Sequence, residues 1–222
     1  MAIPKKNKKE NRVFNFSVEG STEKWYLDWL KKKINTCEGV KYKVEINSKV
    51  EKDPTQRVKG MTIVDKVVIT HLYDYEGNAS NQIQQFKSIM DKMKEAENMG
   101  KKVTYQMGYS NLSFDLWMIL YKRICKTSYI QPGNYLTPIN NAFGEKFQSM
   151  DEYKKERNFK RLLENLTLQD VKDAIQRAEE IQEINICQDN KQNYRDFEYY
   201  SNNPSLSIHE HIKKILQECG VM

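Results

Sequence analysis

The sequence predicts an α/β fold, with a mostly parallel sheet flanked by helices and a helical C-terminal half. In the first half, segments with strand patterns alternate with segments whose apolar residues recur at helical spacing. Strand–helix–strand alternation of this kind is typical of parallel sheets. From Phe114 onward, helical spacing dominates. We expect a single domain over residues 1–222, made of a basic arm (1–11), an α/β core (12–125) and a helical extension (126–222).

Strands and helices of the first half follow from residue patterns. Residues 42–46 alternate apolar and polar side chains, as a half-exposed strand does. The β-branched run 67–73 is typical of a strand buried on both faces. The charged segment 49–60, which contains Pro54 and Gly60, predicts a loop. The predicted order is a strand at 13–18, a helix at 21–34, a strand at 42–46, this loop, a strand at 67–73, a helix from 83 to near 100 and a strand at 103–107.

The second half is predicted to be helical. Thr167 and Asp170 have the spacing of a capping box at the start of one helix. Ser207 and Glu210 fit the start of the last helix, and Gly220 fits its end. The predicted helices cover residues 114–124, 137–147, 154–164, 168–181 and 208–219.

Composition and charge exclude some classes of protein and favour others. The chain has 36 Lys and Arg against 30 Asp and Glu, and its net charge of +6 favours a polyanionic partner such as nucleic acid. No apolar run approaches the roughly 18 residues of a membrane span, and the lysine-rich start lacks the apolar core of a secretory signal. The four cysteines form no CxxC motif, which argues against a zinc ribbon or a disulfide framework. We therefore expect a cytoplasmic protein that binds no membrane.

Acidic residues follow two of the predicted strands. Glu19 comes directly after the first strand, and Asp74 and Glu76 come after the buried strand. The carboxyl ends of parallel neighbours meet at one edge of a sheet, so these side chains are expected to converge. Clustered carboxylates repel one another unless a cation lies among them. Oxygen ligands suit Mg²⁺ or Mn²⁺ better than zinc, so a metal site is one interpretation. The other is that these acids cap turns.

Further residues are candidates for lining this site. Gly20 allows a tight turn and the close approach of a ligand. Glu23 falls in the first turn of a helix, where negative charge is favourable in any case. Ser110 and Asn111 precede a predicted helix and are candidates for binding a phosphate at its N-terminus. Asp115, on that helix, is either a further acid of the site or a cap.

Four segments together resemble a known family. Residues Phe16 to Glu23 (FSVEGSTE), followed by Tyr26, resemble the opening motif of the RloB-like family. Asp74-Tyr75-Glu76 stands where that family has an acidic pair. The segments SNLSFDLW (110–117) and NPSLSI (203–208) resemble two further motifs, in order and over nearly the whole chain. The family has a topoisomerase–primase (TOPRIM) type of catalytic fold and is associated with bacterial phage defence. The resemblance implies both for this chain.

The resemblance further implies a metal-dependent nuclease, with nucleic acid (DNA or RNA) as substrate. Carried over to this chain, Glu19 acts in acid–base catalysis or shares the metal, and Asp74 and Glu76 bind Mg²⁺ or Mn²⁺. An ion there would neutralise charge on the reacting phosphate and lower the pKa of an attacking water. The family also implies an ATPase, encoded alongside, that gates the nuclease in phage defence by abortive infection.

Three positions depart from the family pattern. Glu76 is one methylene longer than the family's aspartate, Leu112 replaces a proline and Asp115 replaces a glutamate. These departures bear on activity, because a nuclease can lose its metal site and keep its fold. A catalytically weak module that binds nucleic acid or an ATPase is therefore an alternative. Another is a phosphatase with Asp74 as nucleophile, but its motif normally follows the first strand.

Basic residues after the apolar helix are candidates for binding a nucleic-acid backbone. Acidic residues are interleaved with them, so a solvated helix surface is the alternative interpretation. The candidates are Lys122, Arg123, Lys160 and Arg161, with Lys154 in the same region. The choice between DNA and RNA, and between monomer and homo-oligomer, stays open.

Overall fold

The computed structural model describes residues 9–222, and they form a five-stranded sheet and a separate two-stranded hairpin. The predicted basic arm lies mostly outside the described residues. The order of the sheet is β2-β1-β3-β4-β7, with β1 to β4 parallel and β7 antiparallel to β4. The strands are β1 (Asn11–Val18), β2 (Lys43–Val50), β3 (Val67–Asp74), β4 (Val103–Asn111), β5 (Lys191–Tyr194), β6 (Phe197–Tyr200) and β7 (Ser205–Leu206).

Helices connect the parallel strands and make up most of the second half. This confirms the predicted α/β class, with a mostly parallel sheet flanked by helices. A short 3₁₀ helix covers Pro132–Tyr135. The α-helices are α1 (Ser21–Asn35), α2 (Pro54–Lys59), α3 (Ser80–Glu97), α4 (Asp115–Leu120), α5 (Leu136–Phe143), α6 (Met150–Tyr153), α7 (Glu156–Glu164), α8 (Leu168–Cys187) and α9 (Ile208–Glu218).

Two apolar clusters lie on opposite faces of the sheet. Phe16 of β1 and Leu72 of β3 pack with α1, α4, α8 and α9, and Trp117 is fully buried in that cluster. Ile69 of β3 and Tyr105 of β4 pack with α3 and the β5–β6 hairpin in the second cluster. Successive side chains of a strand point to opposite faces, so residues 69 and 72 belong to different layers.

The register of the strands aligns the carboxyl ends of β1, β3 and β4. Val18 pairs with Leu72, and Asp74 pairs with Ser110. The ends of β1, β3 and β4 therefore lie at one edge, together with the residues that follow them. The short strand β7 pairs with Ser110 and Asn111, so residues far along the chain close the free side of β4 at this edge.

The predicted loop at 49–60 is wrong. Strand β2 continues to Val50, and helix α2 follows. The Asp53 carboxylate accepts hydrogen bonds from the backbone N–H groups of Thr55 (2.9 Å) and Gln56 (3.4 Å), as an N-cap does. Pro54 occupies the first helical position, where its missing N–H does no harm. Proline here starts a helix instead of marking a loop.

Several predicted helices have different bounds; α8, for example, continues to Cys187 instead of ending at 181. Helix α4 is shorter than predicted, and Arg177 Nη1 donates to the carbonyls of Leu120 (2.6 Å) and Tyr121 (3.0 Å) at its end. Helix α5 ends at Phe143, because Gly144 adopts a left-handed conformation with φ of 68°. The predicted helix 154–164 begins two residues later as α7, because Lys155 has an extended backbone, and the separate short helix α6 precedes it. The capping box of α8 is confirmed.

The hairpin of β5 and β6 was not predicted. Its turn residues Arg195 and Asp196 have φ of 54° and 66°, a conformation usually signalled by Asn-Gly or Asp-Gly. Arg-Asp carries no such signal. Among residues 9–222, no helix combines the length and the apolarity needed to cross a membrane, and all four cysteines are unpaired in this range.

Candidate acidic site

Glu19 and Asp74 meet at the carboxyl edge of the sheet. Glu19 follows β1 and Asp74 is the last residue of the neighbouring strand β3. Glu19 Oε2 accepts a hydrogen bond from the backbone N–H of Asp74 at 2.7 Å. Glu19 Oε1 lies 3.7 Å from Lys52 Nζ, and the Glu19 side chain is 14% exposed. The two strand ends thus place two carboxylates side by side, as their positions in the sequence led us to expect.

Glu76 lies on a tight turn directly after β3. Its φ is 39°, and Gly77 follows with φ of 136°, a region that favours glycine. The Glu76 N–H donates to the carbonyl of Leu112 (3.0 Å), and Gln82 Nε2 donates to the carbonyl of Glu76 (3.1 Å). These bonds fix the turn, while the Glu76 side chain stays exposed. The negative charge of Glu76 reaches Glu19 and raises its pKa, so the two groups share one environment.

Glu23 lies buried in the first turn of α1. It is 5% exposed, and its Oε2 accepts a hydrogen bond from Thr22 Oγ1 at 2.9 Å. A Cβ atom built on Gly20 would lie 3.1 Å from Glu23 Oε2. The carboxylate therefore lies directly against Gly20, and this close approach is a specific reason for glycine there. Glu23 is more than a favourable helix start, because it carries an acid into the interior beside the strand ends.

Asp115 is an inward-facing acid of the helix that follows β4. It is the first residue of α4 and is 1% exposed. Its Oδ2 accepts a hydrogen bond from Ser113 Oγ (2.8 Å) and forms an ion pair with Lys154 Nζ (2.9 Å). Its Oδ1 is buried and has no hydrogen-bond partner among the residues described. Asp115 thus lies inside the acidic group, and its role as a further site acid stays a prediction.

Ser110 and Asn111 are the last two residues of β4, and α4 begins at Asp115. Strand β4 runs to Asn111, because β7 pairs with both residues. Asn111 Nδ2 donates to the carbonyl of Ser201 at 3.1 Å, while its Oδ1 is buried without a partner in the described range. Both residues border the same sheet edge as Asp74. Their role in binding a phosphate stays a prediction.

Burial and mutual repulsion dominate the electrostatics of this acidic site, which comprises Glu19, Glu23, Asp74, Glu76 and Asp115. Burial raises the pKa of Glu19 to about 7, and the charges of Glu23 and Glu76 add to that effect. The hydrogen bond from Asp74 N–H and the charge of Lys52 oppose it. Burial and the charges of Glu19, Glu23 and Asp115 raise the pKa of Asp74 well above its usual range. Burial likewise raises the pKa of Glu23. The site is thus short of positive charge.

The acidic site suits a hydrated Mg²⁺ or Mn²⁺ ion by its chemistry. All its donors are carboxylate oxygens, which these ions prefer, and its excess negative charge favours a divalent cation. In the described part of the chain, no three His, Cys, Asp or Glu side chains are grouped so that they could hold a metal ion. That argues against a cage made entirely of protein. Mg²⁺ is commonly held by one or two carboxylates, with waters and substrate phosphates filling the other positions.

The predicted backbone-binding residues lie on the helical part of the chain, and three of them are paired with acids. Lys122 pairs with Asp170 (2.8 Å). Lys160 pairs with Glu156, and Arg161 pairs with Glu145 through both terminal nitrogens. Arg123 borders a cavity of about 300 Å³ beside α5. Their role in binding nucleic acid stays a prediction.

Sequence reasoning missed the two lysines that contact the acidic site. Lys52 follows β2, whose end lies beside the end of β1, so the strand order brings it to Glu19. Lys154 was predicted to lie in a charged helix, as a candidate for binding a nucleic-acid backbone or as part of a solvated surface, but it reaches Asp115. The polar break between α6 and α7 is the only local signal at Lys154, and it does not reveal a partner 39 positions away.

Comparison with known proteins gives one result. The sequence model of the family described as RloB-like protein matches residues 16–215, which is most of the chain. No curated protein and no solved structure matches. The matched range contains all five acids of the site. The chain belongs to the RloB-like protein family.

Proposed function

We propose that this RloB-like protein hydrolyses phosphodiester bonds of nucleic acid with the help of Mg²⁺ or Mn²⁺. The observation that carries the proposal is the meeting of Glu19 and Asp74 at the carboxyl edge of parallel strands, within a buried excess of negative charge. Ligand sites of parallel α/β sheets form outside this edge. The net charge of +6 also favours a polyanionic substrate.

Each residue has a distinct part in the proposed reaction. A divalent ion, when bound, supplies charge neutralisation and a more acidic water. Asp74 and Glu76 are the residues we propose to hold it. Glu19 is suited to accept or release a proton near neutral pH, because burial raises its pKa to about 7. All three follow or end rigid strands, so they need little rearrangement during the reaction.

The biological setting is proposed from the family resemblance alone. We propose that an ATPase encoded alongside gates the nuclease, and that the pair acts in phage defence in the cytoplasm. A nuclease of the TOPRIM type that cuts host or phage nucleic acid would need such a restraint.

The first experiment is a cleavage assay with plasmid DNA, single-stranded DNA and total tRNA, in Mg²⁺, in Mn²⁺ and in EDTA. Wild type is compared with Glu19→Gln and Asp74→Asn. Asp65→Asn, an exposed acid outside the site, is the matched control. We expect metal-dependent cleavage that falls about 100-fold or more in the two site variants and is unchanged in the control.

Two outcomes would contradict the proposal. One is cleavage that persists in EDTA or in both site variants. The other is a folded wild type that binds nucleic acid without cutting it, even with its ATPase present. The second outcome would favour the binding-module alternative.

A further inference from the structure

Lys154 brings a positive charge into the acidic site from the helical half of the chain. It follows α6, and its Nζ lies 2.9 Å from Asp115 Oδ2. The Asp115 side chain is 1% exposed, whereas the Lys154 side chain is 39% exposed. The ion pair therefore joins a buried acid to a lysine that still has access to solvent.

The charge of Lys154 acts on more than its direct partner. It lowers the pKa of Asp74 and the pKa of Glu23, against the opposite effect of burial on both. Burial lowers the pKa of Lys154 itself, but the charge and hydrogen bond of Asp115 raise it by more, so the ammonium stays charged. A single ammonium thus supplies part of the positive charge that three carboxylates lack.

Asp115 offers an acceptor that this lysine does not use. Its Oδ1 is buried and has no hydrogen-bond partner among residues 9–222, while Oδ2 is held by Ser113 and Lys154. An unsatisfied carboxylate oxygen in the interior is unfavourable unless a donor or a cation reaches it. Oδ1 can accept a donor or a cation beyond Lys154, and within the protein the buried Tyr153 hydroxyl, which also lacks a partner and interacts with Asp115, is one candidate donor.

The segment that carries Lys154 is a separate turn. Tyr153 is fully buried and anchors the four-residue helix α6. Lys155 then has an extended backbone, with φ of −60° and ψ of 134°, before α7 begins. Lys154 therefore lies between two helices instead of within one, at a place where a side chain can change its partner without unwinding a long helix.

We propose that Lys154 is an internal counter-ion of the acidic site, which competes with the divalent cation and is released from Asp115 when that cation binds. This inference rests on the proposed function, because it concerns the same metal site. A lysine freed from Asp115 remains beside the site and can pair with a substrate phosphate instead. The position of Lys154 in the turn between α6 and α7 would then depend on whether the metal is bound.

The test is calorimetric titration of the full chain with MnCl₂ alone, without nucleic acid. Lys154→Met removes the charge, and Lys154→Gln removes it but keeps a hydrogen-bond donor for Asp115. Lys155→Met, an exposed neighbour, is the matched control. Removing one competing charge near the site should tighten Mn²⁺ binding by about tenfold in both Lys154 variants and leave the control unchanged.

Thermal unfolding with and without MnCl₂ gives a second readout that requires no cleavage. Without the metal, both Lys154 variants should unfold at a lower temperature than wild type, because the buried Asp115 carboxylate loses its charged partner. The increase in unfolding temperature caused by Mn²⁺ should be larger in these variants than in wild type. A variant that binds Mn²⁺ as wild type does, or more weakly, would overturn the inference.

Glu19→Gln in the same titration separates the two proposals. If wild type binds Mn²⁺, Glu19→Gln binds it weakly and the Lys154 variants bind it as wild type does, the counter-ion role fails while the metal site stands. If neither wild type nor any variant binds Mn²⁺, both proposals fail.

Discussion

Two groups of titratable side chains lie close together along β1 and β3, and they differ in charge and in access to solvent. The acidic site at the carboxyl edge holds repelling carboxylates, and Glu19 keeps some exposure. Earlier along the same two strands, Ser17 Oγ and His71 Nδ1 lie 2.5 Å apart, and both residues are fully buried. A Ser–His pair invites a catalytic interpretation, but no substrate can reach this one. Burial therefore does not identify a functional site without access and a charge that needs a partner.

The largest expected effect comes from Glu19→Gln. Cleavage should fall about 100-fold or more, while the metal-free protein should become more stable by about 1 kcal/mol, because a neutral amide removes the repulsion among the carboxylates. Glutamine keeps an oxygen that can accept from Asp74 N–H. Urea unfolding in EDTA, beside the cleavage assay, checks both effects. A variant that is less stable than wild type would show that the acids are not in conflict.

Ser17→Ala should have the opposite effects from Glu19→Gln, because it lowers stability and leaves cleavage unchanged. It removes the partner of buried His71 Nδ1, which should lower the free energy of unfolding by about 1–3 kcal/mol. Cleavage and Mn²⁺ affinity of the folded protein should stay unchanged. The measurement is urea unfolding with a cleavage assay below the transition. Loss of cleavage by a folded Ser17→Ala protein would break the comparison.

The pH dependence of stability should reveal His71 directly. Burial lowers the pKa of His71 to about 3, so the folded protein keeps it neutral, whereas the unfolded chain takes up a proton near pH 6.5. The unfolded state thus binds more protons between these values, and stability falls as the pH falls below 6.5. The slope contributed by His71 is at most about 1.4 kcal/mol per pH unit.

His71→Gln isolates that contribution, because His209 titrates in the same direction. Burial lowers the pKa of His209 to about 4. Urea unfolding at pH 7, 6 and 5 should give a shallower dependence for His71→Gln than for wild type. Equal slopes for the two proteins would mean that His71 is protonated in the folded state.

Gly20→Ala should produce a small, local effect on the acidic site. The backbone of Gly20 is extended and accepts alanine, but the new Cβ would lie 3.1 Å from Glu23 Oε2 and must push that carboxylate aside. We expect Mn²⁺ affinity to change by about threefold or more, with a stability change below about 1 kcal/mol. Gly133→Ala, which would meet no atom within 4 Å, is the control. Equal Mn²⁺ affinities for the two alanine variants would show that Glu23 takes no part in the site.

Much of the fold and the central pair of acids could be predicted from the sequence. Strands β1 and β3 show clear local patterns, and acids directly after such strands must lie at one edge once the strands are parallel neighbours. Glu19 and Asp74 could therefore be found without any knowledge of tertiary contacts. The glycine after Glu76 gave a partial indication of the tight turn there.

The rest of the site depends on contacts that no local pattern encodes. Asp115 of α4 pairs with Lys154 in the turn between α6 and α7, and the burial of Glu23 depends on how α1 packs. Helix α2 was missed because a proline was taken as a loop signal when it starts a helix. The hairpin was missed because its turn places an arginine, Arg195, in the left-handed conformation that arginine rarely adopts.

The short strand β7 makes the order of synthesis relevant to the site. A ribosome produces all five acids long before Ser205 and Leu206, which pair with the end of β4. A nascent chain that already holds every carboxylate therefore still lacks the strand that closes the sheet beside them. Chains interrupted before residue 205 would carry the acids beside a strand β4 whose outer side is still unpaired at its end.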